Sequence, residues 1–167
     1  MLKFALKYEG PIAIRYPRGQ AYDGLDAFRE KIVYGKAEVL YKEKDIALFA
    51  VGSMVKAAEE VREALKEKGY HCTLVNARFV KEFDKDLIRE LSTYHKLLVT
   101  LEENVATGGF GERVVDYVYS EHIDLEVEKI ALPDMYVEHG NVNILYKDAR
   151  IDADSVVERI LAAMERD

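Results

Sequence analysis

Apolar runs and amphipathic stretches alternate along this chain from residue 45 onward, and this alternation limits the fold more than any other feature. Residues 46–51 form a continuous apolar run, which is typical of a strand buried on both faces. After Gly52 the apolar residues recur at helical spacing as far as Leu65, and Gly69 ends the stretch. A buried strand joined to a helix by a short connection predicts an α/β fold.

The same pattern recurs along the rest of the chain. Helices are predicted over 2–9, 85–95 (with Asp84 as cap), 110–121, and a terminal stretch capped by Asp152 or Asp154. Further strands are predicted over 36–41, 71–76, 96–101 and 125–132. The alternation within 36–41 predicts that this strand has one exposed face. Together these elements predict a three-layer αβα sandwich with a mostly parallel sheet.

Composition narrows the class of protein. The chain has 167 residues, of which 49% are apolar, and this suits one globular core. A net charge of −7 argues against nucleic acid or an anionic membrane as a partner. No apolar run is long enough to span a bilayer. The single cysteine, Cys72, excludes an internal disulfide, suits a reducing cytoplasm, and is expected to be a core residue.

Residues 10–19, GPIAIRYPRG, contain the clearest candidate binding residues. The apolar run 12–14 predicts a strand, which Pro17 should end because proline fixes its own φ and restricts the residue before it. Arg15 and Arg18 then lie near a strand end, where a guanidinium can bind phosphate or carboxylate in a bidentate manner. Only nine residues precede this segment, so we expect the chain to begin within a larger protein.

Other candidates follow the predicted strands, since ligands of open α/β sheets gather at the carboxyl ends of the strands. Ser53 opens a helix and is favoured as its N-cap over an anion site. Glu102 and Glu103 could act as paired carboxylates, but adjacent residues of an extended chain point to opposite sides. The glycines of residues 108–111 are expected to let the turn pack closely, against another domain or subunit.

Arg78 and His139 complete the set of candidates. Arg78 lies at a strand end and suits an anion or interface contact. His139 lies in the polar loop 132–140, and a structural role is favoured over a catalytic one because geometry rather than residue type defines a general base. The remaining histidines lack the spacing of metal ligands, so no metal site is expected.

Four separated segments together resemble the 1-deoxy-D-xylulose-5-phosphate synthases, thiamine-diphosphate enzymes of the transketolase superfamily. The segments are GPIAIRYPRG (10–19), VNARFVKEFD (75–84), VTLEEN with GGFG (99–111) and ALPDMYVEHG (131–140), and they follow the family's order. Glu82 departs from the pattern, because the family commonly has proline there. The resemblance covers nearly the whole chain, but only the C-terminal part of such an enzyme.

This resemblance implies a domain organisation and a function. Residues 1–18 would be a remnant of the pyrimidine-binding domain, 19–34 a linker, and 35–167 the transketolase C-terminal domain. The family condenses pyruvate with glyceraldehyde 3-phosphate, releases CO₂, and feeds isoprenoid (terpenoid), thiamine and pyridoxal synthesis. The position of Arg18 would bind the aldehyde's phosphate.

The resemblance also implies what other parts of the enzyme supply. Thiamine diphosphate and Mg²⁺ would bind upstream, so no catalytic, cofactor-binding or metal-binding residue is placed on this chain, which alone would be inactive and bind no cofactor. Its partners would be the remaining domains of the same enzyme, a second copy of that enzyme in a homodimer, and the small-molecule phosphate substrate. The candidate interface or site-lining residues are Arg15, Arg78, Glu102, Glu103 and His139.

Two alternatives stay open at the level of sequence. The chain could be a non-catalytic module that binds anions or regulates another protein, having kept the fold and lost the enzyme. It could also be the corresponding domain of a 2-oxoacid dehydrogenase β subunit, although the YPRG and LPD segments match that family less well.

Overall fold

A five-stranded sheet forms the centre of the computed structural model, which describes residues 1–16, 22–28 and 30–166. The strands lie in the order β1-β3-β2-β4-β5, and β1 alone is antiparallel to its neighbour in this sheet. Their bounds are β1 Glu38–Tyr41, β2 Asp45–Ala50, β3 Cys72–Asn76, β4 His95–Val105 and β5 Glu126–Leu132. The predicted mostly parallel sheet is confirmed.

Helices cover both faces of the sheet. Their bounds are α1 Leu2–Ala5, α2 Met54–Glu67, α3 Lys85–Ser92, α4 Phe110–Ser120, α5 Val142–Asp148 and α6 Ala153–Met164, with a short 3₁₀ turn at Asp26–Phe28. No helix within the described residues is both long and apolar enough to cross a membrane.

Alternation along the strands divides the interior into two apolar cores. In β2, Ile46 and Leu48 pack with α2 and α6 on one face, whereas Ala47 and Phe49 pack with α3 and α4 on the other. This arrangement makes the predicted three layers, helix, sheet and helix. Cys72 is fully buried in the first core, and burial is the main reason that the pKa of its thiol is raised to about 12.

The first part of the chain differs from its prediction. The expected helix over 2–9 is confined to Leu2–Ala5, and residues 11–16 form no strand, so the predicted strand is wrong. A strand needs a neighbour for its backbone N–H and C=O groups, and the described part of the sheet supplies none to this segment. Further along, Leu25 and Phe28 pack against the first core.

Other differences lie at element ends and in the edge strand. The helix predicted over 85–95 ends at Ser92, because His95 already starts β4. The predicted exposed face of β1 is wrong, since Glu38 is buried and Tyr41 is half-buried. Both have partners from outside the strand: Arg78 pairs with Glu38, and Phe28 packs edge-on to Tyr41. Helix α5 was not predicted.

Candidate functional site

The carboxyl edge of the parallel strands brings together the candidates that sequence placed at strand ends. Strand β2 ends before Gly52, β3 ends at Asn76, and β4 extends through Glu102 and Glu103. Each group of side chains at this edge has partners within the chain, and those partners decide what the edge can do chemically.

Glu102 is buried and holds the start of helix α4. Its Oε2 accepts a hydrogen bond from the backbone N–H of Phe110 at 2.8 Å, and its Oε1 accepts one from Gly111 at 2.7 Å. The first N–H groups of a helix have no partner inside it, and a negative charge there also interacts favourably with the positive end of the helix dipole. The carboxylate therefore acts as a cap supplied by the neighbouring strand.

Two glycines make this close approach possible. A Cβ on Gly109 would lie 2.6 Å from the carbonyl oxygen of Val105 and 2.7 Å from Oε1 of Glu102. A Cβ on Gly111 would lie 2.5 Å from Oγ1 of Thr100. The glycines thus let the turn pack closely against this chain's own strand, and packing of the turn against another domain or subunit stays a prediction.

Glu103 bonds to a different part of the domain. Its carboxylate accepts hydrogen bonds from the hydroxyls of Ser53 and Tyr146, so it links the start of α2 to α5. Burial and the bond to Glu103 are the main causes that raise the pKa of Tyr146. Adjacent glutamates on an extended strand turn to opposite sides, so they do not form a joint acid–base pair.

Ser53 does not fill the role that sequence favoured. It occupies the N-cap position of α2, but its side chain makes no capping hydrogen bond and donates instead to Glu103. A capping residue normally has an extended backbone, whereas Ser53 has the helical angles φ −58° and ψ −28°, so its hydroxyl is not placed to accept from the first N–H groups of α2. The prediction of a capping side chain is therefore wrong.

Arg78 follows β3 with its guanidinium mostly enclosed. It forms an ion pair with Glu38, which is itself buried at the start of β1. Its Nη2 also donates to the backbone carbonyl oxygen of Glu30 at 3.4 Å. Sequence reasoning singled out Arg78 but missed Glu38, because the pairing of β1 with β3 that brings Glu38 opposite Asn76 has no signal in the sequence.

The remaining candidates lie apart from this edge or outside the residues that the structure describes. Arg15 is exposed and lines an open cavity of about 980 Å³ with residues of α1 and with Ile32. His139 is exposed in the loop after β5. Arg18 lies outside the described residues. Sequence reasoning also missed Tyr146, because α5 was not predicted.

The family profile described as "Transketolase, C-terminal domain" matches residues 35–156. The chain belongs to the transketolase C-terminal domain family. Its curated relatives include the 1-deoxy-D-xylulose-5-phosphate synthase of Lachnoclostridium phytofermentans, 44% identical over 96% of this chain, and that of Heliobacterium modesticaldum, 41% identical over 99%. The sequence resemblance is confirmed by these relatives. The chain spans 26% of the length of each of these two relatives.

Solved structures agree with this transketolase C-terminal domain assignment. A structure described as a split gene transketolase, inactive beta4 tetramer, matches 98% of this chain and 53% of its own, with a TM-score of 0.90 and 26% identity. Transketolase from Campylobacter jejuni matches 81% of this chain and 20% of its own, with a TM-score of 0.57 and 19% identity, and shares the fold alone.

Proposed function

We propose that this chain serves as the C-terminal domain of a 1-deoxy-D-xylulose-5-phosphate synthase. The complete enzyme would condense pyruvate with glyceraldehyde 3-phosphate and release CO₂. The observation that carries the proposal is the 44% identity to a synthase of that name across 96% of the chain. The chain would contribute domain contacts and part of the substrate-phosphate site, with the remaining domains and a second copy as its partners.

Thiamine diphosphate would supply the carbanion chemistry of such an enzyme when bound. The described residues do not fit a site for it. Glu102, Asp84 and Asp152 already accept from the N-terminal N–H groups of α4, α3 and α6, where a diphosphate would otherwise find donors. The start of α2 has no capping side chain, but the carboxylate of Glu103 bonds to Ser53 there and would repel a diphosphate. Nor do the described residues contain a group of three His, Cys, Asp or Glu side chains placed to hold Mg²⁺.

We therefore place the cofactor and Mg²⁺ on the remaining domains, and we expect the 167-residue chain alone to have no synthase activity. Calorimetry on this chain should detect no binding of thiamine diphosphate with Mg²⁺ present. Micromolar binding would contradict this placement without touching the proposed reaction.

The reaction itself is tested on the full-length protein that contains this chain. With thiamine diphosphate and Mg²⁺, we expect pyruvate and glyceraldehyde 3-phosphate to be consumed together and one CO₂ to be released for each product formed. A two-carbon transfer from a ketose without CO₂ would identify a transketolase instead. Consumption of pyruvate that does not need the aldehyde would favour the dehydrogenase alternative.

Arg18 carries the proposed phosphate contact, and its substitution tests that role. In the full-length enzyme, Arg18→Ala should raise the KM for glyceraldehyde 3-phosphate by about 10- to 100-fold, because a charge-assisted contact contributes about 1.5–3 kcal/mol. The KM for pyruvate should stay within about twofold of the wild type, since pyruvate has no phosphate. Arg150→Ala is the matched control, because Arg150 is an exposed arginine paired with Glu158. Equal effects of Arg18→Ala on both substrates would indicate a structural arginine.

A further inference from the structure

The turn that follows β3 holds Arg78 in a costly backbone conformation. Its φ is +56°, and the backbone N–H of Phe79 donates to the carbonyl oxygen of Ala77 at 2.5 Å, so Arg78 is the central residue of a three-residue turn. A positive φ costs a residue with a Cβ about 1–2 kcal/mol. Such strain persists only where surrounding contacts hold it, and it clusters at places that serve function.

The side chain of Arg78 supplies one set of those contacts. With Glu38 it forms an ion pair in which the two side chains are 11% and 4% exposed. Oε1 of Glu38 accepts from the backbone N–H of Glu30 at 3.1 Å, while Arg78 donates to the carbonyl oxygen of Glu30. The pair thus holds both backbone groups of one residue in the segment that leads towards the start of the chain.

Phe79 supplies the second set of contacts. Its ring packs edge-on to Phe4 of α1 and to Tyr34, with centroids 5.8 Å and 5.6 Å apart. Tyr8 stacks on both Phe4 and Tyr34, which closes a circuit of four rings. A hydrogen bond with Tyr8 is the main cause that raises the pKa of Tyr34 to about 12. Two neighbouring residues of one turn therefore hold the connecting segment and the first helix.

We propose that Arg78, together with Glu38, is a positioning pair that holds the turn carrying Phe79 and thereby fixes residues 1–8 against the α/β domain, and that phosphate binding by the arginines of residues 10–19 depends on it. Arg78 does not itself contact the substrate, since its guanidinium is enclosed by Glu38 and Glu30. For the substrate effect alone, the inference rests on the proposed function, in which Arg18 binds phosphate.

The test variants follow from the burial of the pair. Removing one partner leaves the other charge buried and unpaired, which can unfold the domain. We therefore use the double variant Glu38→Gln/Arg78→Met beside Arg78→Met and Phe79→Ala. The matched control is Arg159→Met, because Arg159 also pairs with a glutamate, Glu128, and donates to a backbone carbonyl, at the other edge of the sheet.

Hydrogen exchange on the full-length protein tests the positioning without any need for activity. The amides of residues 4–8 form hydrogen bonds within α1 and the turn after it. They should exchange at least about tenfold faster in the double variant and in Phe79→Ala, because residues 1–8 lose their packing against the turn at Phe79. In Arg159→Met their exchange should be unchanged. Unchanged exchange in the double variant would overturn the proposal, even if exchange rises in Phe79→Ala, because that variant removes the ring contact with Phe4 directly.

Kinetics tests the consequence for substrate. In the full-length enzyme, the double variant should raise the KM for glyceraldehyde 3-phosphate by about 10- to 100-fold, since a displacement of about 1 Å can have such an effect. The KM for pyruvate should change less than about twofold. The single variant Arg78→Lys, which keeps a charge beside Glu38, should raise the KM for glyceraldehyde 3-phosphate less than the double variant does. Arg159→Met should leave both constants unchanged.

The two tests separate the possible failures. Faster exchange in an enzyme that makes no product from pyruvate and the aldehyde would refute the proposed function and leave the positioning pair supported. An active enzyme in which exchange rises but both KM values stay at wild-type levels would overturn the link to the phosphate-binding segment. A loss of phosphate affinity in Arg78→Met without faster exchange would make Arg78 a direct ligand and overturn the positioning role.

Discussion

Two adjacent glutamates at the end of β4 show how position within a strand determines what a residue does. Glu102 turns inward and accepts two backbone hydrogen bonds from α4, whereas Glu103 turns to the other side and accepts from two hydroxyls. The backbone donors have no other partner, because they begin a helix. The hydroxyls of Ser53 and Tyr146 can rotate towards water. The same substitution should therefore affect the two sites differently.

We expect Glu102→Gln to lower the free energy of unfolding by about 1–3 kcal/mol, because a neutral amide offers one acceptor oxygen to two buried N–H groups. Glu103→Gln, the matched control, should lower it by less than about 1 kcal/mol, since its partners are not confined to one acceptor. Urea unfolding of this chain measures both values. Equal losses would show that Glu102 is no more than a surface-type contact.

For single residues, the sequence predicts the side of a strand on which a side chain lies better than it predicts the residue that the side chain contacts. The alternation of side chains along a strand was enough to separate Glu102 from Glu103. It could not predict the pair of Arg78 with Glu38, because that contact depends on the register between β1 and β3, which lie far apart in the chain. A charged residue within a short alternating run reads as solvent-facing until its neighbour strand is known.

The junction of α3 and β4 is fixed by a buried histidine. The Nδ1 atom of His95 lies 3.1 Å from the carbonyl oxygen of Leu91, and its Nε2 atom lies 2.9 Å from Oγ1 of Thr73. Burial is the largest influence on the pKa of His95 and lowers it below the ordinary value of 6.5, while the bond to Leu91 works in the opposite direction. The folded protein thus favours the neutral ring.

This lowered pKa predicts a loss of stability in acid. Below about pH 6.5 the unfolded chain takes up a proton at His95 more readily than the folded chain does, so the stabilisation present above that pH declines as pH falls towards the folded pKa. Urea unfolding at about pH 7.5 and about pH 5.5 should show a larger decrease for the wild type than for His95→Gln. An equal or larger decrease for the variant would show that other groups control this range.

Element ends and short elements were the hardest to predict, for identifiable reasons. Strand β4 continues past Leu101 because Val105 still pairs with Leu132, yet the polar residues in between read as a loop. Helix α5 has too few turns to show a helical period, and it begins at a local cap in which Asn141 accepts from the N–H of Asn143. In contrast, β2 and α2 match their predictions because long apolar patterns determine them.

At the scale of the molecule, the predicted domain start at residue 35 can be tested through the segment before it. Leu25 and Phe28 pack on the first core, and the backbone N–H of Glu30 donates a hydrogen bond to Oε1 of the buried Glu38. A chain that starts at residue 22 should therefore be more stable than one that starts at residue 35, by about 2–4 kcal/mol from the lost burial and backbone contacts. Thermal or urea unfolding of the two chains measures the difference. Equal stabilities would place the working boundary at residue 35.

The strand order has a further consequence, for the rate at which this domain forms. Glu38 in β1 can pair only when Asn76 in β3 is present, and β2 completes its pairing only with β4. Each neighbouring pair in the sheet is separated by a helix or by another strand, so no strand pair of the described sheet forms as a local hairpin. Because the ends of long loops must meet first, this topology predicts slower folding than a helical bundle of the same length. During synthesis, β1 would leave the ribosome well before its partner and wait with its backbone unpaired.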